Sequence, residues 1–287
     1  MSRRNIHTDL ASFITAVLIL IPVGGTVAQS TAFISPDVVY GHKDGMALTF
    51  DVFRPEGAGN GAGIIYMVSG GWFSIWREPV RMSGNFTDLL EAGFTVFTVR
   101  HGSAPRYKVP DAVADVRRAV RFIRLNSDAW GIDPERLGVY GGSAGGHLSL
   151  MLGCASDEGE EDAEDPVLRT SDRVAAVVAY YPPVDLRAIT GPNKRFPALD
   201  FDRELAAAIS PLLHVTPDDP PALLIHGDAD ELVPLRSSQV IHQAFLEAGV
   251  TTEMIVLEGA PHGFRGAYAR RATEAMVAWF EKYLLDR

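Results

Sequence analysis

A serine flanked by glycines, Ser143, is the residue of this chain whose setting most favours covalent chemistry. The stretch from Arg136 to Leu152 reads RLGVYGGSAGGHLSLML, with a β-branched and aromatic run before the serine and an amphipathic run after it. Glycines in such a stretch let a strand turn so tightly into a helix that the serine hydroxyl is held exposed as a nucleophile. The simpler alternative is that the glycines form a turn and the serine caps the next helix.

A serine hydroxyl is a poor nucleophile unless a base accepts its proton and a third group orients that base. His262 is the best candidate base, because it lies in the glycine- and proline-flanked loop GAPHGF that follows an apolar run. Asp228 and Asp230 follow another buried-strand pattern in ALLIHGDADELVP. We favour Asp230 as the orienting acid, because Asp228 directly follows Gly227 and is well placed to close the turn itself.

The remaining histidines are weaker candidates for a base. His147 lies one turn beyond Ser143 on the predicted helix, and His226 ends an apolar strand, so both are expected to pack in the core. No local feature identifies the other candidates, which are His42, His101, His214 and His242.

The elements that must position these residues alternate between short β-branched or aromatic runs and longer helical patterns, which is typical of an α/β sheet. The predicted strands are 38–40, 48–53, 63–68, 94–99, 137–140, 175–181, 223–226 and 254–257. The predicted helices are 86–91, 109–126, the stretch after Ser143, 235–248 and 268–285. The first two strands flank Lys43-Asp44-Gly45 and predict an antiparallel hairpin. The proline-rich residues 190–221 predict a small, lid-like insertion.

The N-terminal residues have the pattern of a signal peptide. Arg3 and Arg4 precede the apolar run 13–21, and Thr26-Val27-Ala28 suits cleavage after Ala28. A retained membrane anchor is the alternative, which we disfavour because the apolar run is short and no stop-transfer charges follow it. We therefore predict a cleaved signal at 1–28, one domain at 29–287, export to the periplasm or medium, and no stable membrane insertion after cleavage.

Composition excludes several classes of partner. The formal net charge of −10 argues against nucleic acid and anionic lipid as partners.

Cys154 is the single cysteine, so no intramolecular disulfide forms, and we expect it to pack on a buried helix face. The acidic run 157–165 is interpreted as a solvated loop because it lacks the ligand spacing of a calcium loop. No metal-ligand spacing is present, and we predict neither a metal nor a cofactor.

Several segments together resemble the α/β-hydrolase superfamily, within it the esterase and lipase group related to hormone-sensitive lipase and the feruloyl-esterase-like (BD-FAE-like) hydrolases. These segments are GIDPERLGVYGG, GGSAGGHLSLML, PDAVADVRRAVRFIR, PPALLIHGDADELVP and GAPHGF. The order Ser143, Asp230, His262 is also the chain order of the catalytic triads in this superfamily. The resemblance implies a mostly parallel eight-stranded sheet flanked by helices.

The loop after the third predicted strand departs from the family pattern. The family usually has His-Gly-Gly-Gly, or His-Gly-Gly before an aromatic residue, whereas this chain has Ser69-Gly70-Gly71-Trp72. The resemblance implies that the amides of Gly71, Trp72 and Ala144 form the oxyanion hole. Because the family's histidine braces this loop, Ser69 raises the question of what holds it here.

The resemblance implies a carboxylic-ester hydrolase that acts through an acyl-enzyme, on short-chain or carbohydrate-linked esters. Phe73, Trp76 and Phe264 are candidate walls of the substrate site, although large aromatic residues also pack in cores. The alternatives are a prolyl-oligopeptidase-like peptidase, an arylformamidase-like amidase and, from a different class, a non-catalytic binding protein of the same fold. No feature of the sequence indicates an oligomeric state.

Overall fold

One eight-stranded sheet organises residues 33–286, the part of the chain described by the computed structural model. In chain order, the strands are β1 (Phe33–Lys43), β2 (Met46–Arg54), β3 (Gly63–Met67), β4 (Thr95–Val99), β5 (Leu137–Gly142), β6 (Ala176–Tyr180), β7 (Ala222–Gly227) and β8 (Thr252–Leu257). Their spatial order is β1-β2-β4-β3-β5-β6-β7-β8. Strand β2 is antiparallel to β1 and β4, and all other neighbours are parallel, which confirms the predicted sheet and hairpin. The predicted signal segment, residues 1–28, lies outside the described residues.

Six α-helices connect and cover the strands of the described chain. They are α1 (Pro79–Met82), α2 (Thr87–Glu91), α3 (Val109–Leu125), α4 (Ala144–Cys154), α5 (Arg236–Ala248) and α6 (Ala267–Phe280). The predicted helix 268–285 is shorter than expected, because the α-helical turns end at Phe280 and residues 281–285 continue as a wider π-helical turn. Strand β1 is longer than predicted, because this exposed edge strand includes polar residues that do not give an apolar run.

Each face of the sheet is covered by a separate hydrophobic core. On one face, the predicted apolar stripe of α3, formed by Val113, Val116, Val120 and Ile123, is buried with residues of α4 and α5. On the other face, side chains of α2 and α6 pack against β3, β5, β6 and β7. The sheet is therefore held rigidly between two layers of helix, and its carboxyl edge can carry precisely placed loops.

The segment 190–221 connects β6 to β7 without a regular α-helix. It contains only three short 3₁₀ turns, at Pro197–Leu199, Arg203–Leu205 and Pro211–Leu213. The acidic run 157–165 is a loop, as interpreted, but its first residue is not free in solvent. Asp157 binds Arg117 and Arg121 of α3.

The described residues contain no helix long and apolar enough to cross a membrane. Between residues 33 and 286, no cluster of three or more His, Cys, Asp or Glu side chains is placed to hold a metal ion. Cys154, the last residue of α4, is buried, and burial raises the pKa of its thiol well above the ordinary value.

Candidate active site

Ser143 lies in a sharp turn between β5 and α4, as the glycines around it indicate. Its backbone has φ 55° and ψ −120°, a conformation that costs a non-glycine residue about 1–3 kcal/mol. A Cβ on Gly141 would lie 2.6 Å from the carbonyl carbon of Gly145, so strand and helix approach too closely for a side chain. The Ser143 amide donates to the carbonyl of Tyr180 at 2.9 Å, which fixes the turn to β6. This geometry holds the hydroxyl out at the carboxyl edge of the sheet.

Three side chains from separate loops meet at this edge. The Oγ of Ser143 lies 3.0 Å from Nε2 of His262, and Nδ1 of His262 lies 2.7 Å from Oδ2 of Asp230. The loops that carry them follow β5, β7 and β8, which belong to the parallel part of the sheet with the order β5-β6-β7-β8. The structure thus brings together the three residues selected from the sequence. Such an arrangement can move a proton from the hydroxyl to the imidazole while the carboxylate stabilises the resulting cation.

The carboxylate of Asp230 is fixed on both of its oxygens. Oδ1 accepts hydrogen bonds from the amides of Leu232 at 2.8 Å and Val233 at 2.9 Å, while Oδ2 faces His262. His226 packs beside it, with Nε2 3.4 Å from Oδ2 and 2.9 Å from the carbonyl of Val233. A buried carboxylate with these donors is held in one orientation, so it also fixes the imidazole ring of His262.

Asp228, the alternative acid, has a different role in the same loop. Its Oδ1 accepts a hydrogen bond from the amide of Gly259 at 2.6 Å, which joins the loop after β7 to the loop after β8. A Cβ on Gly227 would lie 2.1 Å from the carbonyl oxygen of Ala260, so the two loops are in direct backbone contact there. Asp228 therefore positions the loop that carries His262, and Asp230 contacts the imidazole.

The glycine loop after β3 lies at the same edge of the sheet, and its residues Ser69, Gly70 and Gly71 line the cavity over Ser143. Gly70 and Phe73 exchange two backbone hydrogen bonds of 3.0 Å, which close a tight turn with φ of 59° at Gly71 and 60° at Trp72. Within residues 33–286, the amides of Gly71 and Trp72 have no acceptor, and Ala144 is the first residue of α4, where an amide has no intrahelical acceptor. These are the three groups predicted as oxyanion donors. The Trp72 side chain is buried, so only its backbone can serve a substrate.

An imidazole from a different strand contacts Ser69, where the family usually has histidine. His101 follows β4, and its Nε2 lies 2.8 Å from the Oγ of Ser69. Its Nδ1 lies 2.8 Å from the carbonyl of Gly102, so Nδ1 carries the proton and Nε2 accepts the hydroxyl proton of Ser69. Burial lowers the pKa of His101 to about 4, which keeps this acceptor neutral at physiological pH. No local feature of the sequence indicates this role for His101, because the contact depends on how β3 pairs with β4.

Further hydrogen bonds join the glycine loop to the segment after β4. The Ala104 amide donates to the carbonyl of Trp72 at 3.1 Å, and the Ser74 amide donates to the Oγ of Ser103 at 3.0 Å. The His101 amide in turn donates to the Oγ of Ser74 at 3.2 Å. The loop is therefore held by a set of neighbouring contacts on both sides of Gly70 and Gly71, and the His101 ring supplies the one to Ser69.

His147 links the glycine loop to the insertion 190–221. Its Nε2 donates to the carbonyl of Ile209 at 2.8 Å, and its Nδ1 accepts the indole N–H of Trp72 at 3.4 Å. The ring is fully buried, as the sequence predicted, and burial lowers its pKa to about 4. The neutral imidazole of His147 on α4 thus orients the side chain of Trp72.

For the ester hydrolysis that the resemblance implies, replacing His101 with alanine is expected to lower kcat by about 10- to 100-fold, with KM changed by less than about threefold. The reason is that a displaced donor of the implied oxyanion hole acts on the transition state. Ser69→Ala should have a smaller effect in the same direction. The double variant should be no slower than His101→Ala, because both changes remove the same contact. His101→Gln, whose amide oxygen can accept the Ser69 hydroxyl proton, should recover part of kcat. Additive losses, or a loss confined to KM, would contradict this positioning role.

The buried histidines should also make stability depend on pH. A histidine titrates at about 6.5 in the unfolded chain, and the folded pKa of His101 and His147 is about 4. Between these values the unfolded chain binds more protons, so the free energy of unfolding decreases as pH falls from about 6.5 towards 4. Thermal unfolding from pH 7.5 to 5 should show a falling midpoint. The fall should be shallower for His147→Gln and unchanged for His42→Gln, which removes an exposed imidazole.

A cavity of about 510 Å³ opens over Ser143 and His262. Its walls are tyrosines at strand ends, aromatic loop residues and small residues of α6, namely Tyr66, Tyr180, Tyr181, Phe196, Phe264, Ala269, Ala272 and Thr273. The ring of Tyr181 meets that of His262 edge to face, with centroids 4.6 Å apart. Burial raises the pKa of Tyr181 to about 12, so its hydroxyl stays protonated.

The three predicted wall residues have different positions. Phe264 lines the cavity over Ser143, and Phe73 lines a neighbouring cavity. Trp76 lines neither cavity, which corrects its prediction as a substrate contact. Its side chain is 55% exposed and its indole N–H donates to Asp37 at 3.1 Å, because the chain turns back at Phe73 and runs outward. Tyr66, Tyr180 and Phe196 could not be identified from the sequence, because aromatic residues at strand ends or in an irregular insertion cannot be told from core residues by pattern.

The sheet order, the turn at Ser143 and the loops at the carboxyl edge define the class of α/β hydrolases. The chain belongs to the BD-FAE family, whose model matches residues 50–245. The match covers more than half of the 287 residues of the chain.

Several relatives of the chain are named as esterases or ester hydrolases. Esterase LipQ of Mycobacterium tuberculosis is 28% identical over 242 residues, which cover 79% of this chain and 56% of the relative. Ethyl acetate hydrolase of Pseudomonas putida is 30% identical over 252 residues, covering 82% of this chain and 77% of the relative. The matches span 56–63% of the length of the mycobacterial relatives LipQ, LipC and LipM.

Solved structures of similar proteins share the whole fold. A carbohydrate esterase from gut microbiota is 28% identical with a TM-score of 0.73, covering 89% of this chain and 98% of that one. Esterase 2 of Thermogutta terrifontis is 25% identical with a TM-score of 0.72, covering 90% and 95%. The named relatives and solved structures are therefore carboxylic-ester hydrolases.

Proposed function

We propose that the protein is a serine carboxylesterase in which Ser143 attacks the ester carbonyl, His262 accepts the hydroxyl proton and Asp230 orients and stabilises the imidazolium. The observation that carries this proposal is the 3.0 Å contact between the Ser143 Oγ and the His262 Nε2, made by a serine in a strained turn. The proton on Nε2 passes to the leaving alcohol as the tetrahedral intermediate collapses. Water, activated by the same imidazole, then hydrolyses the acyl-enzyme.

The amides of Gly71, Trp72 and Ala144 receive the negative oxygen of each tetrahedral intermediate. Each donor of this kind contributes about 3 kcal/mol to transition-state stabilisation in comparable enzymes. The absence of any acceptor for the Gly71 and Trp72 amides within the described residues supports this role.

Short-chain or carbohydrate-linked esters are the proposed substrates. A cavity of about 510 Å³ with aromatic walls suits a small acyl group better than a long lipid chain. Similar proteins also support short-chain or carbohydrate-linked esters as substrates, since they include an ethyl acetate hydrolase and an acetyl ester-xyloside bifunctional hydrolase. We also propose that the protein is exported after removal of residues 1–28, on the signal pattern of that segment.

The insertion 190–221 acts as a lid-like wall in this proposal. Phe196 lines the cavity over Ser143, and a Cβ on Gly71 would lie 2.8 Å from its ring. The insertion therefore packs directly on the glycine loop, where it can limit the size of the group next to the ester carbonyl.

Two measurements test the proposal together: titration of the protein with paraoxon, and turnover of a series of 4-nitrophenyl esters. A solved structure of Thermogutta terrifontis esterase 2, 25% identical to this chain, is phosphorylated by paraoxon. An activated Ser143 should release close to one equivalent of 4-nitrophenol and become resistant to further ester turnover. Turnover should be highest for acetate to butyrate and low for palmitate. Turnover of an aminoacyl anilide alone would favour a peptidase or amidase, and failure of paraoxon to react would favour a non-catalytic binding protein.

A further inference from the structure

A second cavity, of about 300 Å³, adjoins the one over Ser143. Tyr66, Ser69 and Gly70 line both cavities, so the two spaces meet beside the glycine loop. The walls found only in the second cavity are Val68, Phe73, Ile75, Arg77, Met82 and Asn85. An ester whose carbonyl lies at Ser143 can extend one arm into this space and keep the other in the first cavity.

Arg77 gives the second cavity a positive charge without a compensating carboxylate. It is the one charged side chain among the residues that line this cavity, and no Asp or Glu lines either cavity. Within residues 33–286, no carboxylate is paired with Arg77, whereas its neighbour Glu78 is bound to Arg81 at 2.8 Å. Arg77 is an exposed residue, so its guanidinium is open to a ligand that enters this cavity.

The charge of Arg77 acts on a residue that is common to both cavities. Burial raises the pKa of the Tyr66 hydroxyl, and the positive charge of Arg77 partly opposes that rise. The guanidinium is therefore close enough to influence groups beside the glycine loop. In addition to this charge, Asn85 supplies an amide at the cavity wall, and Phe73 and Met82 supply apolar surface for a short carbon chain.

We propose that the second cavity is an arginine subsite that binds a carboxylate on one arm of the ester substrate, through the guanidinium of Arg77. A guanidinium binds a carboxylate with two parallel hydrogen bonds, and it does so more selectively than it binds a neutral hydroxyl or carbonyl. The enzyme then prefers esters with a free carboxylate to neutral esters of the same length. Such esters are half-esters of dicarboxylic acids, or hydroxy acids that are acylated on the hydroxyl group. This substrate class rests on the proposed esterase function.

Two matched pairs of substrates test the subsite and identify which arm carries the carboxylate. Mono-4-nitrophenyl glutarate against 4-nitrophenyl pentanoate tests the acyl arm, and 3-acetoxybenzoate against phenyl acetate tests the alcohol arm. For at least one pair, the wild-type kcat/KM should be about tenfold higher for the charged ester, mostly through KM, and this ratio should fall with added salt.

Substitutions at Arg77 link the preference to this side chain. Arg77→Gln should bring the ratio of charged to neutral kcat/KM down to about 1 or below, and Arg77→Lys should retain part of it. Arg81→Gln is the matched control, because Arg81 is exposed, paired with Glu78 and outside both cavities, and it should keep the wild-type ratio. A ratio at or below 1 for both pairs in the wild-type enzyme, or a ratio unaffected by Arg77→Gln, would overturn the subsite. Failure of the wild-type enzyme to hydrolyse any of the four esters would instead contradict the proposed function.

Discussion

Ser143→Ala is expected to lower kcat for 4-nitrophenyl acetate by at least about 10⁴-fold, because no other hydroxyl contacts the Nε2 of His262 among the described residues. The midpoint of thermal unfolding should change little, since the backbone turn and its hydrogen bond to Tyr180 do not need the hydroxyl. Steady-state kinetics with thoroughly purified variant, together with circular dichroism melting, measure both quantities.

Ser149→Ala is the matched control for this substitution. Ser149 lies on the same helix, α4, and its buried hydroxyl donates to the carbonyl of Gly145 at 2.8 Å. The control should retain kcat within a few-fold. If Ser143→Ala kept more than about 1% of wild-type turnover and also lost paraoxon labelling, the acyl-enzyme mechanism would be wrong.

Asp230→Asn is expected to lower kcat by about 10⁴-fold while leaving the fold intact. The two amides of Leu232 and Val233 already point at Oδ1, so the new side-chain oxygen must face them and the new NH₂ group must face His262. That NH₂ group requires Nδ1 of His262 to be an acceptor, which moves the ring proton to Nε2. An imidazole with its proton on Nε2 cannot accept the proton of the Ser143 hydroxyl.

Asp228→Asn provides the comparison, two residues away in the same loop. Asp228 accepts a hydrogen bond from the amide of Gly259, and an asparagine oxygen can accept the same bond. In Asp228→Asn, kcat should therefore fall by less than about tenfold. The pH dependence of kcat/KM gives a second measurement. For Asp230→Asn, kcat/KM should rise at high pH, where hydroxide assists removal of the serine proton. Equal losses for the two variants would show that the loop, and not the tautomer, is responsible.

Local sequence pattern was sufficient for the elements that create the turn at Ser143. The apolar run 137–140, the glycines and the helical pattern after Ser143 each predict one part of a strand, turn and helix, and their order leaves few alternatives. The preference for Asp230 over Asp228 also rested on local chemistry, since an aspartate directly after Gly227 is suited to closing a turn. In both cases the determining contacts lie within a few residues.

The contact of Ser69 with His101 could not be predicted in this way, because it depends on the register of two strands. Met67 of β3 is paired with Val99 of β4, so Ser69 and His101, which follow these residues by two positions, lie side by side. The two residues are 32 positions apart, and although Ser69 departs from the family pattern, no local feature around His101 indicates that it contacts Ser69. Knowing that β3 and β4 are parallel neighbours in this register would have identified the pair.

The position of Trp76 was mispredicted for a related physical reason. An aromatic residue a few positions after an oxyanion loop is a reasonable wall of a substrate site, but its direction depends on the turn between Gly70 and Phe73. Past that turn the chain runs outward to β1, where Trp76 meets Asp37. Sequence proximity to the loop therefore did not imply proximity to the cavity.

The buried thiol of Cys154 makes the protein suitable for site-directed labelling. Thiol reagents react with the thiolate, and this cysteine, the single one in the sequence, is both covered by neighbouring residues and disfavoured from ionising. A maleimide fluorophore attached through Lys194→Cys, an exposed position two residues before Phe196, would therefore report on that position with negligible background. The native chain needs no cysteine removal beforehand, so movement of the insertion during turnover can be followed in an otherwise unaltered enzyme.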